Sequence, residues 1–143
     1  MSLKVKPRQR ARFHAIQALY QREMAGSEFS ELRLQFYQEN VDRHPVEWEF
    51  FHDLIIGVEK NQNEIDKAIS PLVDRDFDGI NPVELAILRL GAYEIIHRLD
   101  IPFQVIVNEY VEQAKALGAS DGHRFVNGLL DKLARNTRKE IKN

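Results

Sequence analysis

The chain has 143 residues, of which 43% are hydrophobic and 29% charged, a length and composition typical of one globular domain. It contains no cysteine, which excludes a disulfide framework, a zinc ribbon and a cysteine nucleophile. No apolar run approaches the roughly 18 residues of a membrane span, and no apolar stretch follows the N-terminal cations as in a signal peptide. We therefore expect a single cytoplasmic domain covering residues 1–143.

Charge is distributed unevenly along the chain. Of the 20 Lys and Arg residues, six precede Glu23, which is the first of the 22 acids. A basic arm at residues 1–12 is thus attached to an acidic body, and such clustering is typical of proteins that bind a polyanion, usually nucleic acid. A disordered, solubilising terminus would have the same composition, so charge alone leaves both interpretations open. The cations of this arm are Lys4, Lys6, Arg8, Arg10 and Arg12.

The first half of the chain predicts four helices, because apolar residues recur at intervals of three and four and no window alternates as a strand does. The first helix covers about residues 7–24 and stops near Gly26. A short second helix follows Ser27, and a third and a fourth follow the break at His44-Pro45. The predicted core positions of the third and fourth helices are Trp48, Phe51, Leu54, Ile55, Val58, Ile65, Ile69 and Leu72.

The second half predicts three more helices. Asn81 is a strong N-cap, and Glu84 falls at N3, where it would complete a capping box. The helix that follows is apolar on most of its circumference, so we expect it to be central and buried. One further helix ends at Gly118, and Asp121 caps the last. Seven helices make an all-α protein. The C-terminal cations expected to face outward are Arg135, Arg138, Lys139 and Lys142.

No group of residues in the sequence argues for catalysis or for a metal site. The five histidines lack metal-binding spacing, and there is no G-x-S-x-G turn, P-loop or Gly-rich dinucleotide turn. Residues 74–79 begin like a calcium loop, but Leu85 stands where a bidentate carboxylate is required. We therefore expect no enzymatic activity, no cofactor and no metal.

A second feature suited to binding lies at the predicted start of the last helix. A helix N-terminus presents free N–H groups and a positive dipole end, both of which attract phosphate. Arg124 adds a guanidinium there, and Phe125 adds an aromatic face on which an unstacked base can lie. Phe125 also precedes Leu129 by one helical turn, and this spacing favours a position in the core.

Three blocks together resemble the NusB family of transcription antitermination factors. They are residues 12–20 (RFHAIQALY), 81–95 (NPVELAILRLGAYEI) and 118–133 (GASDGHRFVNGLLDKL). The resemblance extends over essentially the whole chain and implies two packed three-helix bundles with one leading helix. It also implies a non-catalytic protein that binds the boxA element of nascent RNA together with the ribosomal small-subunit protein NusE. The pair acts on RNA polymerase, chiefly at ribosomal RNA operons.

The same resemblance assigns residues to these contacts. The arginine-rich motif of the family falls on Arg8, Arg10 and Arg12, with Gln9 where many relatives have another arginine. Lys4 and Lys6 extend the positive charge of this segment.

Two further groups follow from the resemblance. Arg124 and Phe125 match the second RNA contact of the family, and Asp121 matches an acidic position beside the RNA path. Glu84 and Arg89 match polar residues of the face that binds the protein partner.

Two alternatives remain at this stage. One is a protein-interaction module whose basic arm is only solvated. The other is a NusB-like domain of the kind that precedes the catalytic domain of some ribosomal RNA cytosine methyltransferases, although the chain ends at Asn143 without room for a methyl-donor site. The oligomeric state also stays open, since some relatives are monomers and others form homodimers.

Overall fold

The computed structural model describes residues 5–74, 76–117 and 121–138. Within these ranges the chain forms α-helices, two short 3-10 turns and no strand, so the all-α prediction is confirmed. None of the helices there is long and apolar enough to cross a membrane. The helices are α1 (Pro7–Ala25), α2 (Phe29–Asn40), α3 (Trp48–Ile69), α4 (Pro82–His97), α5 (Phe103–Leu117) and α6 (Gly122–Arg138).

The predicted number of seven helices is wrong, because the third and fourth predicted helices are two segments of α3. Asn61 interrupts α3 with a φ of -117° and a ψ of 19°. Its side-chain Nδ2 donates to the backbone oxygen of Gly57 at 2.8 Å, one turn earlier. Insertion of a side chain into the helical ladder is a known cause of kinks. No residue between Val58 and Ile65 is buried, so the apolar pattern also breaks at the kink.

The predicted start of the central helix is confirmed in part. Asn81 caps α4, since its side-chain oxygen accepts from the backbone N–H groups of Val83 at 2.8 Å and Glu84 at 3.4 Å. The return bond of a capping box does not form among the described residues. The prediction for the Glu84 side chain is therefore wrong, and its carboxylate lies against Gly122 instead.

α4 occupies the centre of the fold. It packs against α1, α3, α5 and α6, while α2 packs against α1 and α3. Most of its residues are buried, as its nearly continuous apolar surface predicted. α5 and α6 also pack against each other. The surfaces of α1, α5 and α6 are thus all positioned by contact with one helix.

The core contains one charged network. Arg12 of α1 donates to both carboxylate oxygens of Glu94 in α4 at 2.9 Å, and the two side chains are 3% and 0% exposed. Tyr110 of α5 donates its hydroxyl to the same carboxylate, and burial raises the pKa of Tyr110 well above its ordinary value. The guanidinium carbon of Arg12 also lies 5.0 Å from the ring centre of Phe50 in α3. Four helices therefore meet at one ion pair.

Arg138 is a second buried cation, and the prediction that it faces outward is wrong. It is 8% exposed and donates to four backbone oxygens of the last turn of α4 and the loop after it. Helix C-termini leave carbonyls without helical partners, and the planar guanidinium has enough donors to satisfy several. The acceptors, at distances between 2.7 and 3.2 Å, are the oxygens of Glu94, Ile95, Arg98 and Ile101. Lys139 and Lys142 lie outside the described residues.

Removal of the Arg12 side chain leaves Glu94 buried without its cation. We expect Arg12→Ala to lower the free energy of unfolding by about 3–5 kcal/mol, measured by urea denaturation. Arg8→Ala is the matched control, because Arg8 forms a similar ion pair with Glu47 whose side chains are 39% and 40% exposed. The control should lose about 0–1 kcal/mol. Equal losses would contradict the structural role of Arg12.

Candidate nucleic-acid interface

The basic arm is helical from Pro7 onward, so its cations lie on different sides of α1. Lys6 is exposed just before the helix, and its backbone N–H donates to Oε1 of Gln9 at 2.9 Å. Arg10 is half-buried, and its Nη1 donates to the backbone oxygen of Pro45 at 3.2 Å. Lys4 lies outside the described residues.

Arg8 is at the surface but already has an anionic partner. Its Nε and Nη2 donate to the two carboxylate oxygens of Glu47 at 3.1 and 2.7 Å. The hydrogen bond from Arg8 holds the pKa of Glu47 below its ordinary value. The guanidinium also lies 4.3 Å from the ring centre of Phe50. A phosphate that bound Arg8 through both nitrogens would have to replace Glu47.

Arg12 does not belong to this surface, and the expectation that it contacts RNA is corrected. It is 2% exposed, and its guanidinium is bound to Glu94 inside the core. The spacing in the sequence indicates this burial. Arg12 precedes the inward-facing Ala15 and Ile16 by three and four residues, so it lies on the same face of α1. Sequence reasoning also missed Glu94, although an acid in the middle of a mostly apolar helix indicates a buried cation nearby.

Gln9, at the position where a cation is missing, faces α5. Its side-chain Nε2 lies 3.4 Å from Oε2 of Glu109, and its backbone oxygen accepts from Nε2 of Gln113 at 3.1 Å. Gln9 therefore joins the start of α1 to α5.

A groove of about 460 Å³ opens between the first turns of α1, the segment after α2 and α5; we call it the α1–α5 groove. Its cations, Arg10 and Arg43, come from α1 and the segment after α2, whereas its acids come from α5. Phe13 and His14 contribute aromatic rings. The acids of the groove are Glu109 and Glu112. The groove therefore combines apolar surface with charges of both signs.

An aromatic cluster lies between α1, α2 and α3. The ring of His14 stacks on Trp48 with centroids 6.0 Å apart and planes 10° apart. The ring of His52 packs against Tyr37, Trp48 and Phe51. Its Nδ1 is buried with no hydrogen-bond partner among the described residues. Burial lowers the pKa of both histidines.

The start of α6 holds the other predicted RNA contacts. Asp121 and Arg124 are exposed, and the backbone N–H of Arg124 donates to the oxygen of Asp121 at 3.1 Å. Phe125 is half-buried and packs against the hydrophobic core while keeping part of its ring at the surface. Arg124 and Phe125 are not among the residues that line the α1–α5 groove.

Glu84 lies at the same end of α6. A methyl group added to Gly122, the first residue of α6, would collide with the Glu84 carboxylate. The structure therefore brings a predicted partner-binding residue against the helix that carries Arg124 and Phe125.

Arg89, the other predicted partner-binding residue, is engaged within the chain. Its side chain is 12% exposed and donates to both carboxylate oxygens of Asp66 at 3.0 and 3.1 Å. Glu23 of α1 lies 3.7 Å away. Arg89 thus ties α4 to α3 and α1.

A second groove, also of about 460 Å³, lies between α1, α2 and the start of α4. Two large apolar side chains at its edge are solvent-exposed, Met24 by 61% and Tyr20 by 38%. Val83, the neighbour of Glu84, lines the same groove. The sequence analysis did not predict this surface. Two large apolar residues on the outer side of α1, Tyr20 and Met24, could have indicated it.

These features define a small all-α protein built on a central buried helix, with basic and aromatic side chains at the ends of two outer helices. The family model described as the NusB family matches residues 9–135. The chain belongs to the NusB family.

Curated relatives agree with this membership. The chain is 47% identical over 131 residues to the transcription antitermination protein NusB of Marinobacter nauticus, covering 92% of this chain and 82% of the relative. It is 49% identical over 127 residues to the protein of that name from Pseudomonas syringae pv. tomato, covering 89% and 76%.

Solved structures show the same fold. T. maritima NusB superposes with a TM-score of 0.82 at 32% identity, covering 96% of this chain and 97% of that one. An antitermination factor NusB in complex with NusE and double-stranded RNA gives a TM-score of 0.81, covering 90% and 96%. At 24% identity, the second match is a likeness of fold alone.

The two clustered histidines predict a loss of stability in acid. Because their pKa values are lower in the folded chain than the ordinary 6.5, the unfolded chain binds more protons as the pH falls. The contribution of the two neutral histidines to the free energy of unfolding is fully present above pH 6.5. It is lost as the pH falls through their lowered pKa values in the folded chain. We expect His52→Phe to reduce this loss, measured by urea denaturation at several pH values from 7.5 downward. Val105→Ala, at an exposed position of α5 outside the cluster, is the control and should show the same pH dependence as the unsubstituted protein.

Proposed function

We propose that this protein is a non-catalytic, cytoplasmic RNA-binding factor of transcription antitermination. It binds boxA-type single-stranded RNA together with the ribosomal protein NusE and acts on RNA polymerase at ribosomal RNA operons. The observation that carries the proposal is the family match over residues 9–135. Relatives with 47% and 49% identity are named as transcription antitermination proteins, which supports it.

The domain organisation of the family belongs to the same proposal. Residues 1–143 form one domain of two packed three-helix bundles, with α1, α2 and α3 in one and α4, α5 and α6 in the other. The three helices of each set pack against one another, and α4 also packs against α1 and α3, which joins the two sets.

The proposed RNA surface has two parts. On α1 and just before it, Lys6, Arg8 and Arg10 neutralise phosphates, and Lys4 extends this charge. The position of Lys6, Arg8 and Arg10 at or near the surface supports the assignment. Arg12 takes no part, because it is paired with Glu94 in the core.

On α6, Arg124 and the exposed part of Phe125 contact the RNA beside Asp121. Phosphate contacts position the strand, whereas stacked bases contribute to recognition.

The proposed partner surface contains Glu84 and the second groove beside it. The exposed apolar side chains of Tyr20 and Met24 support a protein partner, since large exposed apolar patches mark such surfaces. Arg89 acts indirectly, by holding α4 against its neighbours.

A protein-interaction module without RNA binding is the second candidate. The observation that favours it is the reduced free charge of the basic arm, because Arg8 is paired with Glu47 and Arg12 is buried. Salt dependence separates the two candidates, since only RNA binding releases condensed counterions from the nucleic acid.

Arg10→Ala should weaken binding of a boxA-type single-stranded RNA and flatten its salt dependence. Each neutralised phosphate contributes a slope of about -0.7 to a plot of log K against log salt concentration. Fluorescence anisotropy at several salt concentrations measures both effects. Arg135→Ala is the control, because Arg135 is paired with Asp131 on the exposed side of α6, far along the helix from Arg124. An unchanged slope for Arg10→Ala would exclude the arm from the RNA surface.

Phe125→Ala distinguishes stacking from packing. If a base stacks on this ring, the substitution should weaken RNA binding by about 1–3 kcal/mol. Val126→Ala is the matched control, since its side chain is fully buried and its loss should lower stability without changing the affinity of the folded protein. Titration of RNA and thermal unfolding of both variants supply the comparison. A loss of thermal stability alone in Phe125→Ala would assign the residue to the core.

A further inference from the structure

We propose that the α1–α5 groove binds one unstacked nucleobase of the RNA, with Phe13 as its stacking surface. The inference rests on the proposed RNA-binding function and adds a subsite to it. Arg10, a cation of the basic arm, lines the groove. Its volume of about 460 Å³ falls in the usual range of small-molecule pockets, so a single base fits within it.

The charges of the groove orient a nucleotide. Arg10 and Arg43 line the side formed by α1 and the segment after α2, whereas Glu109 and Glu112 line the side formed by α5. A phosphate is attracted to the first side and repelled by the second. The backbone of the strand therefore stays at the cations, and the base points toward α5.

The acids of α5 favour a particular kind of base. A carboxylate accepts hydrogen bonds, and in nucleic-acid recognition it pairs with the amino group of cytosine. Glu112 is exposed and accepts a hydrogen bond from Nζ of Lys115 at 3.3 Å. Its carboxylate keeps lone pairs for a further donor. Uracil offers carbonyl oxygens where cytosine offers an amino group. We therefore infer preference for a base with an exocyclic amino group over uracil.

The stacking surface is held in place before any ligand binds. Phe13 is half-buried, and its ring meets the edge of His14 with centroids 5.7 Å apart. His14 is in turn stacked on Trp48. A ring fixed by its neighbours loses little conformational freedom when a base stacks on it, which favours binding.

A mixed set of charges also suits a peptide. The presence of Arg10 in its lining, four residues after the exposed Lys6, favours a polyanion instead. One outcome of the test would assign the groove to a peptide.

The test combines Phe13→Ala with boxA-type RNA oligonucleotides that each lack one base. With the intact RNA, Phe13→Ala should lower the affinity roughly 5- to 150-fold, the effect of losing one stacked base. One abasic position should lower the affinity of the unsubstituted protein and have little further effect on Phe13→Ala, because the two changes remove the same contact. Leu34→Ala is the control, since Leu34 is an exposed apolar residue of α2 that lines neither groove.

A second variant tests the base preference without altering the stacking ring. Glu112→Ala should reduce the ratio of affinities for cytosine and uracil at the identified position, because the loss of repulsion between this acid and phosphate acts on both RNAs alike. Circular dichroism checks that each variant is folded.

The outcomes separate this inference from the proposed function. Tight RNA binding that is equally sensitive to every abasic position in both proteins overturns the nucleobase subsite and leaves the proposed function intact. A loss in Phe13→Ala that requires the ribosomal protein assigns the groove to a protein contact and also overturns the subsite. No RNA binding by the unsubstituted protein, with or without the ribosomal protein, overturns both.

Discussion

The ion pair between Arg12 and Glu94 is the constraint on which the rest of the molecule depends. A carboxylate that is fully enclosed is tolerable only with a charged partner and further hydrogen bonds, and here Arg12 and Tyr110 supply them. The pair sets the rotation of α1 about its own axis against α4. Because successive residues of a helix differ in direction by about 100°, this rotation also decides where Arg10 and Phe13 lie.

The two proposed surfaces are thus consequences of how the central helix is packed. α4 contacts both helices that carry candidate RNA-binding residues, α1 and α6. Arg138 fastens the last turn of α6 to the carbonyl end of α4, while Glu84 contacts α6 at its first residue. Hydrogen bonds of Arg138 therefore hold the last turn of α6 to α4, and its apolar face packs on α4, while Glu84 lies close to its first residue. A surface of this kind changes little in shape when a ligand binds.

The helices were predictable because apolar periodicity is a local property, but the polar interior was not. The kink at Asn61 interrupts the periodicity as a loop would, so one helix was predicted as two. The charge of the arm was evident, whereas the difference between Arg10 and Arg12 depends on Glu94, 82 residues away. Arg138 binds backbone oxygens, which have no signature in the sequence. Residue types indicated the candidate site, and only the fold shows which cations are available to a ligand.

The contact between Glu84 and Gly122 links the proposed partner surface to the proposed RNA surface, so that the two binding events would depend on each other thermodynamically. A protein partner that draws the Glu84 carboxylate away from α6 changes the surroundings of the helix start that carries Arg124. Whatever factor that movement contributes to RNA affinity, RNA must contribute the same factor to the affinity for the partner. The joint complex then assembles in either order with the same final stability, although the order can still change the rate.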